Sequence, residues 1–168
     1  MITLVLGGTR SGKSEVAETL VARTSAPVTY VATCRAPGSD DEDMAARIAA
    51  HRARRPAGWA TVEAGNDLAG VLRGLAGPVL VDSLGTWVAG FEHLDPDTEP
   101  LCAALRERDG DTVVVSEEVG LGVHAPTEAG RRFADVLGAL NRAVAGSADR
   151  VLLVVAGRVL PLDRPEGS

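Results

Sequence analysis

The chain has 168 residues, of which 45% are hydrophobic; this predicts one domain of ordinary size with a full core and excludes a disordered chain. Its net charge of −6 argues against general nucleic-acid binding, because nothing offsets phosphate repulsion over the whole surface. Two cysteines exclude a disulfide framework and suit a reducing cytoplasm, and with only three widely spaced histidines beside them a zinc site is disfavoured. We expect neither a signal peptide nor a membrane span of about 20 apolar residues.

The first predicted elements surround a glycine-rich motif. Residues 2–6 form an apolar, β-prone run, and residues 14–22 have the spacing of an amphipathic helix with Val16, Leu20 and Ala17 facing inward. The residues between them fit the phosphate-binding pattern G-x-x-x-x-G-K-S: Gly7, Gly8, Thr9, Arg10, Ser11, Gly12, Lys13 and Ser14. We predict that Lys13 reaches the β- and γ-phosphates and that Ser14 holds Mg²⁺. The alternative is a glycine turn with a solvated lysine.

The rest of the chain alternates apolar runs with helical patterns. Predicted strands cover residues 28–33, 59–63, 78–82, 112–116 and 150–156, and predicted helices cover about 40–53, 66–75, 83–91, 101–108 and 128–145. Continuously apolar strands that alternate with helices indicate a parallel sheet covered on both faces. We therefore predict an α/β fold of the P-loop NTPase type (RecA-like), with a mostly parallel sheet. We expect residues 1–163 to form a single domain and residues 164–168 to be a disordered tail.

Acidic residues end two of the predicted strands. Asp82 has the position of the acid that holds Mg²⁺ in this fold class, although it could instead cap the next helix. Glu117 and Glu118 end the strand after it, where ligands bind in open α/β sheets. Adjacent residues on a strand face opposite ways, so we expect only one of these two to face a γ-phosphate, where it would orient an attacking hydroxyl. The alternative is a solvated turn.

A basic cluster lies on the helix predicted over about 40–53. Arg47, His51 and Arg55 have the spacing of one helix face, with Arg54 beside them. Guanidinium groups disfavour a protonated histidine, and a neutral imidazole is a nucleophile. The arginines would bind a triphosphate, so the cluster suits attack of His51 on phosphorus. The other interpretation is a solvated helix face.

Taken together, these stretches resemble one family, the bifunctional adenosylcobinamide kinase / adenosylcobinamide-phosphate guanylyltransferases of cobalamin assembly. The matching stretches are residues 7–14, 30–33, 44–56, 59–63, 79–84, 118–120, 131–133, 140–141 and 154–157. The resemblance runs from residue 1 to about residue 163. The phosphate loop is generic, whereas residues 47–63 are specific to this family.

The resemblance implies two reactions and a set of residues. Adenosylcobinamide is phosphorylated with GTP or ATP and Mg²⁺, and GMP then passes from GTP to that phosphate through a histidine, which matches His51. The resemblance implies His51 as the residue that carries GMP, and with it we predict His51, Lys13 and Glu118 as the catalytic residues. The implied nucleotide contacts beyond residues 7–14 are Ala32, Thr33, Cys34, Arg52, Ala53, Arg54, Arg55, Glu63 and Asp82. The resemblance also implies a homotrimer whose site lies near a subunit boundary.

The chain departs from the family pattern in three ways, one of which is an acidic, compact loop at residues 92–100. Glu117 stands where the family usually has Asn, and Gly90 and Phe91 stand where it usually has an Asn at the end of a helix. Two other functions are open on the residues alone. A single-activity P-loop kinase for a small hydroxyl substrate would take up no covalent nucleotide label. A nucleotide-switched binding module would hydrolyse slowly and transfer nothing to a corrinoid.

Overall fold

A computed structural model of the chain describes residues 1–24, 26–33, 56, 58–123 and 125–164. Its strands are β1 (Ile2–Gly7), β2 (Thr29–Ala32), β3 (Ala60–Glu63), β4 (Val79–Asp82), β5 (Thr112–Glu117), β6 (Arg150–Val155) and β7 (Arg158–Pro161). Its helices are α1 (Lys13–Val21), α2 (Leu68–Arg73), α3 (Leu84–Ala89), α4 (Thr98–Glu107) and α5 (Glu128–Ser147). None of these helices is long and apolar enough to cross a bilayer. The helix predicted over about 40–53 lies outside the described residues.

The strands form one seven-stranded sheet in the order β3-β2-β4-β5-β1-β6-β7. All neighbouring pairs are parallel except β6 and β7. Helix α1 packs on one face through Ala17 and Val21, and helices α2 to α5 cover the other face. The central strands carry apolar side chains on both faces of the sheet, because both faces are buried. On β4, for example, Val81 packs in the core on one face and Leu80 in the core on the other. The predicted mostly parallel sheet with helices on both faces is confirmed.

The sheet has one strand that the sequence did not predict. Strand β6 was expected to be the last, but the chain turns back through Ala156 and Gly157, both with positive φ (50° and 72°), and forms β7. A two-residue turn with positive φ at both positions matches the twist of a hairpin. Every residue of β7 is exposed, so its sequence carries no alternating pattern, and Pro161 is tolerated because β7 is an edge strand.

Smaller differences concern helix faces and boundaries. On α1 the fully buried residues are Ala17 and Val21, while Val16 and Leu20 pack at the margin of the same cluster. Helix α4 begins at Thr98, inside a predicted loop, because the first turn accommodates a proline that has no N–H to donate.

Part of the predicted tail is described. The guanidinium of Arg164 donates to the Gly146 carbonyl (3.0 Å), and the last four residues lie outside the described part. That residues 1–163 form one domain stays a prediction.

Arg108, directly after α4, forms hydrogen bonds at the edge of the sheet where the parallel strands begin. Its guanidinium donates to the carbonyls of Leu72 (2.8 Å), Leu75 (2.6 Å) and Gly77 (2.6 Å), and to the Thr112 hydroxyl (3.0 Å). Burial lowers the pKa of this guanidinium below its usual value. One side chain thus satisfies carbonyls in the last turn of α2 and in the loop after it, and links them to the start of β5.

We expect Arg108→Met to lower the free energy of unfolding by about 2–4 kcal/mol, because several acceptors lose a charged donor while the packing of the stem is kept. Denaturant unfolding of both proteins measures this difference. The matched control is Arg106→Met, which removes exposed contacts to Ser147 and Glu99 and should cost less than about 1 kcal/mol. Equal losses for the two variants would show that the carbonyl contacts of Arg108 contribute nothing special.

Candidate active site

Three neighbouring strands bring their carboxyl ends to one place. Strand β5 lies between β4 and β1, and Gly7 pairs directly with Glu117 in the register of β1 and β5. Asp82 ends β4 on the other side of β5. Because all three strands are parallel, the phosphate loop, Glu117 and Asp82 share the edge at which α/β sheets bind ligands.

The phosphate loop has the backbone that its glycines allow. Gly12 has φ of 92°, and a Cβ at Gly7 would collide with the Ser11 side chain. The buried Ser11 hydroxyl accepts from the Lys13 amide (3.3 Å), and the Ser11 carbonyl accepts from the Gly157 amide (2.8 Å). The turn between β6 and β7 therefore anchors the loop directly before α1 begins.

The Lys13 side chain lies across this loop. Its Nζ donates to the Gly8 carbonyl (3.3 Å) and lies 3.6 Å from Glu117 Oε1. The Lys13 side chain is 12% exposed and that of Glu117 is 28% exposed. The single ammonium of the loop is thus paired with a carboxylate from the end of β5.

Glu117 is held from a second direction by the start of α3. The Ser83 hydroxyl lies 3.0 Å and 3.1 Å from the two carboxylate oxygens, and the Gly85 amide donates to Oε2 (3.0 Å). A Cβ at Gly85 would collide with the same carboxylate, so glycine permits this approach. These contacts hold the Glu117 carboxylate between the phosphate loop and the start of α3.

The neighbouring carboxylate is turned elsewhere. Glu118 Oε1 accepts from the Gly120 amide (2.6 Å) and closes the turn after β5. Glu118 is the predicted catalytic carboxylate, and that role stays a prediction; the structure places its neighbour Glu117 against Lys13. The strand alternation that admits one of the two residues to the site selects Glu117.

Asp82 points to the side of the sheet that α1 covers. Its Oδ2 accepts from the Tyr30 hydroxyl (3.1 Å), and Tyr30 belongs to the core cluster under α1. The peptide bond from Asp82 to Ser83 is cis. The alternative in which Asp82 caps α3 is wrong, because Ser83 is the N-cap and forms a capping box with Thr86.

The other predicted nucleotide contacts on β2 and β3 lie along the same edge of the sheet. Ala32 pairs with Glu63 on one side and with Asp82 on the other, and Glu63 is exposed. The Thr33 hydroxyl is 2% exposed and lies 2.6 Å from both the Ser83 carbonyl and the Thr86 hydroxyl. The Thr33 side chain is therefore hydrogen-bonded to the start of α3. We expect Thr33 to contact a nucleotide through its backbone.

Sequence reasoning missed a polar residue that fixes the end of β5. Asn141 of α5 is buried, donates from Nδ2 to the Glu117 carbonyl (3.0 Å) and accepts from the Ser116 hydroxyl (2.6 Å). The available signal was an amide in the apolar stripe formed by Leu137, Leu140 and Val144. A buried amide in such a stripe requires partners, which here belong to the site.

Several predicted residues lie outside the described residues, and their roles stay predictions. They are Cys34, His51, Arg52, Ala53, Arg54 and Arg55, with Arg47 of the same basic cluster. Among the residues that the structure does describe, no group of three or more His, Cys, Asp or Glu side chains could hold a metal ion.

Comparison with known proteins identifies the family. The family model for cobinamide kinase / cobinamide phosphate guanyltransferase matches residues 3–162. The chain belongs to this family. The matched range of this cobinamide kinase / guanyltransferase chain includes the phosphate loop, Asp82, Glu117 and the predicted basic cluster. The chain is therefore an enzyme of the cobinamide kinase / guanyltransferase class.

Two curated relatives support this assignment over nearly the whole chain. The bifunctional adenosylcobalamin biosynthesis protein CobP of Pseudomonas aeruginosa is 43% identical over 171 residues, which cover 96% of this chain and 97% of that protein. The bifunctional adenosylcobalamin biosynthesis protein CobU of Escherichia coli (strain K12) is 35% identical over 94% of this chain and 97% of its own length.

A solved structure supports the fold of this cobinamide kinase / guanyltransferase family member. It is described as a prototypical ATPase from the type III secretion system of pathogenic bacteria, with a TM-score of 0.52 and 11% identity. The likeness covers 90% of this chain, which spans half of the ATPase chain. At this identity it shows the fold alone, a P-loop α/β sheet.

Proposed function

We propose that this chain catalyses two consecutive reactions on adenosylcobinamide. In the first, GTP or ATP phosphorylates the hydroxyl of its aminopropanol arm. In the second, GMP passes from GTP to that phosphate, which releases pyrophosphate and leaves adenosylcobinamide-GDP. The observation that carries the proposal is the family match over residues 3–162, because it spans both the phosphate loop and the basic cluster. The proposed function includes no general binding of nucleic acids.

The kinase half uses the groups at the ends of β1 and β4. The amides of residues 7–14 bind the phosphates, and Lys13 leaves Glu117 to reach the β- and γ-oxygens. The Ser14 hydroxyl and the Asp82 carboxylate are oxygen donors of the kind that Mg²⁺ prefers, and they would hold it beside the phosphates. When bound, Mg²⁺ neutralises charge on the phosphate oxygens.

The guanylyltransferase half uses the predicted basic cluster. His51 attacks the α-phosphorus of GTP, and Arg52, Arg54 and Arg55 bind the triphosphate and stabilise the departing pyrophosphate. We place the remaining nucleotide contacts at Ala32, Thr33, Cys34, Ala53, Glu63 and Asp82. The described part of this set, Ala32, Thr33, Glu63 and Asp82, lies on adjacent strands at the same edge of the sheet, which supports one shared nucleotide site.

GTP labelled at either the γ- or the α-phosphate tests the proposal. With adenosylcobinamide as substrate, the γ-label should enter adenosylcobinamide phosphate, and the α-label should enter first the protein and then adenosylcobinamide-GDP. Transfer of the γ-label alone would leave a single-activity kinase. Hydrolysis with no labelled corrinoid would leave a nucleotide-switched binding module.

We expect Asp82→Asn to lower Mg²⁺-dependent kinase activity by roughly 10²-fold, because one charged oxygen ligand is lost. Stability should change by less than about 1 kcal/mol, since an amide oxygen still accepts from Tyr30. Initial rates against Mg²⁺ concentration, with thermal unfolding alongside, measure both effects. Asp111→Asn, at the opposite edge of the sheet, is the matched control. A sharp drop in melting temperature with no rescue by Mg²⁺ would make Asp82 a structural residue.

We also propose that the enzyme is a homotrimer with the site near a subunit boundary, and that it works in the cytoplasm, as its two thiols suit. Light scattering during gel filtration gives the oligomeric state directly. A monomer at working concentration that carries out both reactions at full rate would exclude a shared site.

A further inference from the structure

The structure sets a carboxylate beside the lysine of the phosphate loop and fixes it there. Lys13 approaches Oε1 of Glu117, the Gly85 amide donates to Oε2, and the Ser83 hydroxyl lies within hydrogen-bond distance of both oxygens. Asn141 holds the backbone of the same residue through the Glu117 carbonyl. The side chain is thus placed by contacts from α1 and the start of α3, and its backbone by α5, which is more than pairing with Lys13 requires.

Nucleotide binding changes only one of these contacts. A triphosphate in the loop draws the Lys13 ammonium to its own oxygens, while the contacts from Ser83 and Gly85 do not involve the loop. We therefore expect the carboxylate to stay beside the γ-phosphate that Lys13 is predicted to reach, and to lose its counter-ion. Two anionic groups at this separation repel each other unless a hydrogen-bond donor lies between them. The hydroxyl that attacks the γ-phosphorus is such a donor.

We propose that Glu117 is the catalytic carboxylate of the kinase step, orienting the attacking hydroxyl of the corrinoid and accepting its proton. The inference rests on the proposed function, because it assumes that the hydroxyl belongs to adenosylcobinamide. It concerns this chain in particular, because the family usually has Asn where Glu117 stands. The hydroxyl oxygen forms a bond to the γ-phosphorus as the bond from that phosphorus to the β-phosphate oxygen breaks. The proton passes from the hydroxyl to Glu117 and then to water, which reaches this side chain at 28% exposure.

The role is limited to one of the two reactions. Lys13 is predicted to reach the γ-phosphate and Glu117 lies beside Lys13, whereas GMP transfer takes place at the α-phosphorus and needs no proton removed from a hydroxyl. A residue that merely held the phosphate loop would affect both reactions, because both use the same bound triphosphate. The ratio of the two activities therefore separates a catalytic role for Glu117 from a structural one.

The test compares Glu117→Gln with wild type in both half-reactions. We expect kcat for phosphorylation of adenosylcobinamide to fall at least 10²-fold, with KM for the nucleotide within about threefold and labelling of the protein by α-labelled GTP reduced far less. Glu107→Gln, which removes an exposed ion pair with Arg73, is the matched control.

A second variant keeps the inference testable if Glu117→Gln does not fold. Gly85→Ala keeps the Glu117 carboxylate but adds a methyl group where one of its oxygens lies. The variant should therefore displace the Glu117 side chain and lower kinase kcat at least tenfold. Three results would overturn the inference: an unchanged kinase kcat, an equal loss of both activities, or a loss that excess Mg²⁺ restores. A wild-type protein that does not phosphorylate adenosylcobinamide would instead overturn the proposed function itself.

Discussion

Lys13→Ala should abolish the use of bound triphosphate in both reactions, with losses of at least about 10³-fold in kcat/KM. Lys13 is the one lysine among the 17 basic residues of the chain, and its Nζ spans the loop from the Gly8 carbonyl to Glu117. The substitution removes the ammonium group of the loop and leaves the Glu117 carboxylate without a counter-ion beside the bound phosphates. Both effects oppose triphosphate binding, so nucleotide affinity and turnover should fall together.

The measurement combines steady-state rates with a chemical footprint. An amine-reactive reagent can modify only Lys13 and the chain's N-terminal amine, which lies next to Asp111 at the opposite edge of the sheet. Bound nucleotide should protect Lys13 and leave the terminal amine unprotected, which makes the terminal amine an internal control. Arg106→Ala, far from the loop, should keep both activities. Wild-type turnover by Lys13→Ala in both reactions would show that residues 7–14 are not the working phosphate site.

The parts of the fold that the sequence predicted are those with strong local signals. Strands β1, β4 and β5 are apolar on both faces, because helices cover both sides of the sheet, and such runs are readable without knowledge of their neighbours. Strand β7 is exposed throughout and short, so its position depends on pairing with β6, which no local pattern records. The contact of Gly157 with the phosphate loop follows from that pairing and was equally hidden.

The same distinction applies to the site. The phosphate loop is contiguous and its residue types follow from the backbone it must adopt, so Gly7 to Ser14 could be named from the sequence. The choice between Glu117 and Glu118 depends on which way a strand end faces, and Ser83, Gly85 and Asn141 reach Glu117 from other elements. Periodicity gives the face of a helix, as Asn141 shows, but not the partner to which a polar residue on that face donates.

His51→Ala should remove covalent labelling by α-labelled GTP and lower GMP transfer at least about 10³-fold, while kinase activity persists. The imidazole forms a bond to the α-phosphorus as the bond to the pyrophosphate oxygen breaks, which gives a phosphoramidate that is labile to acid and stable to base. The kinase step requires no such intermediate, because the substrate hydroxyl attacks the γ-phosphorus directly. Loss of GMP transfer with retained kinase activity is therefore the expected effect of His51→Ala. The expected effect of Glu117→Gln is the reverse, a loss of kinase activity with labelling by GTP largely retained.

Wild-type protein, His51→Ala and His93→Ala should be incubated with α-labelled GTP, denatured, and divided between acid and base before electrophoresis. His93→Ala is the matched control, since it removes an imidazole from the loop after α3 and should label as wild type does. Label on wild type that survives base, is lost in acid and is missing from His51→Ala would establish the carrier. Acid-labile label on His51→Ala would place GMP on another residue. Full-rate synthesis of adenosylcobinamide-GDP by unlabelled wild type would replace the two-step route with direct attack of the corrinoid phosphate on GTP.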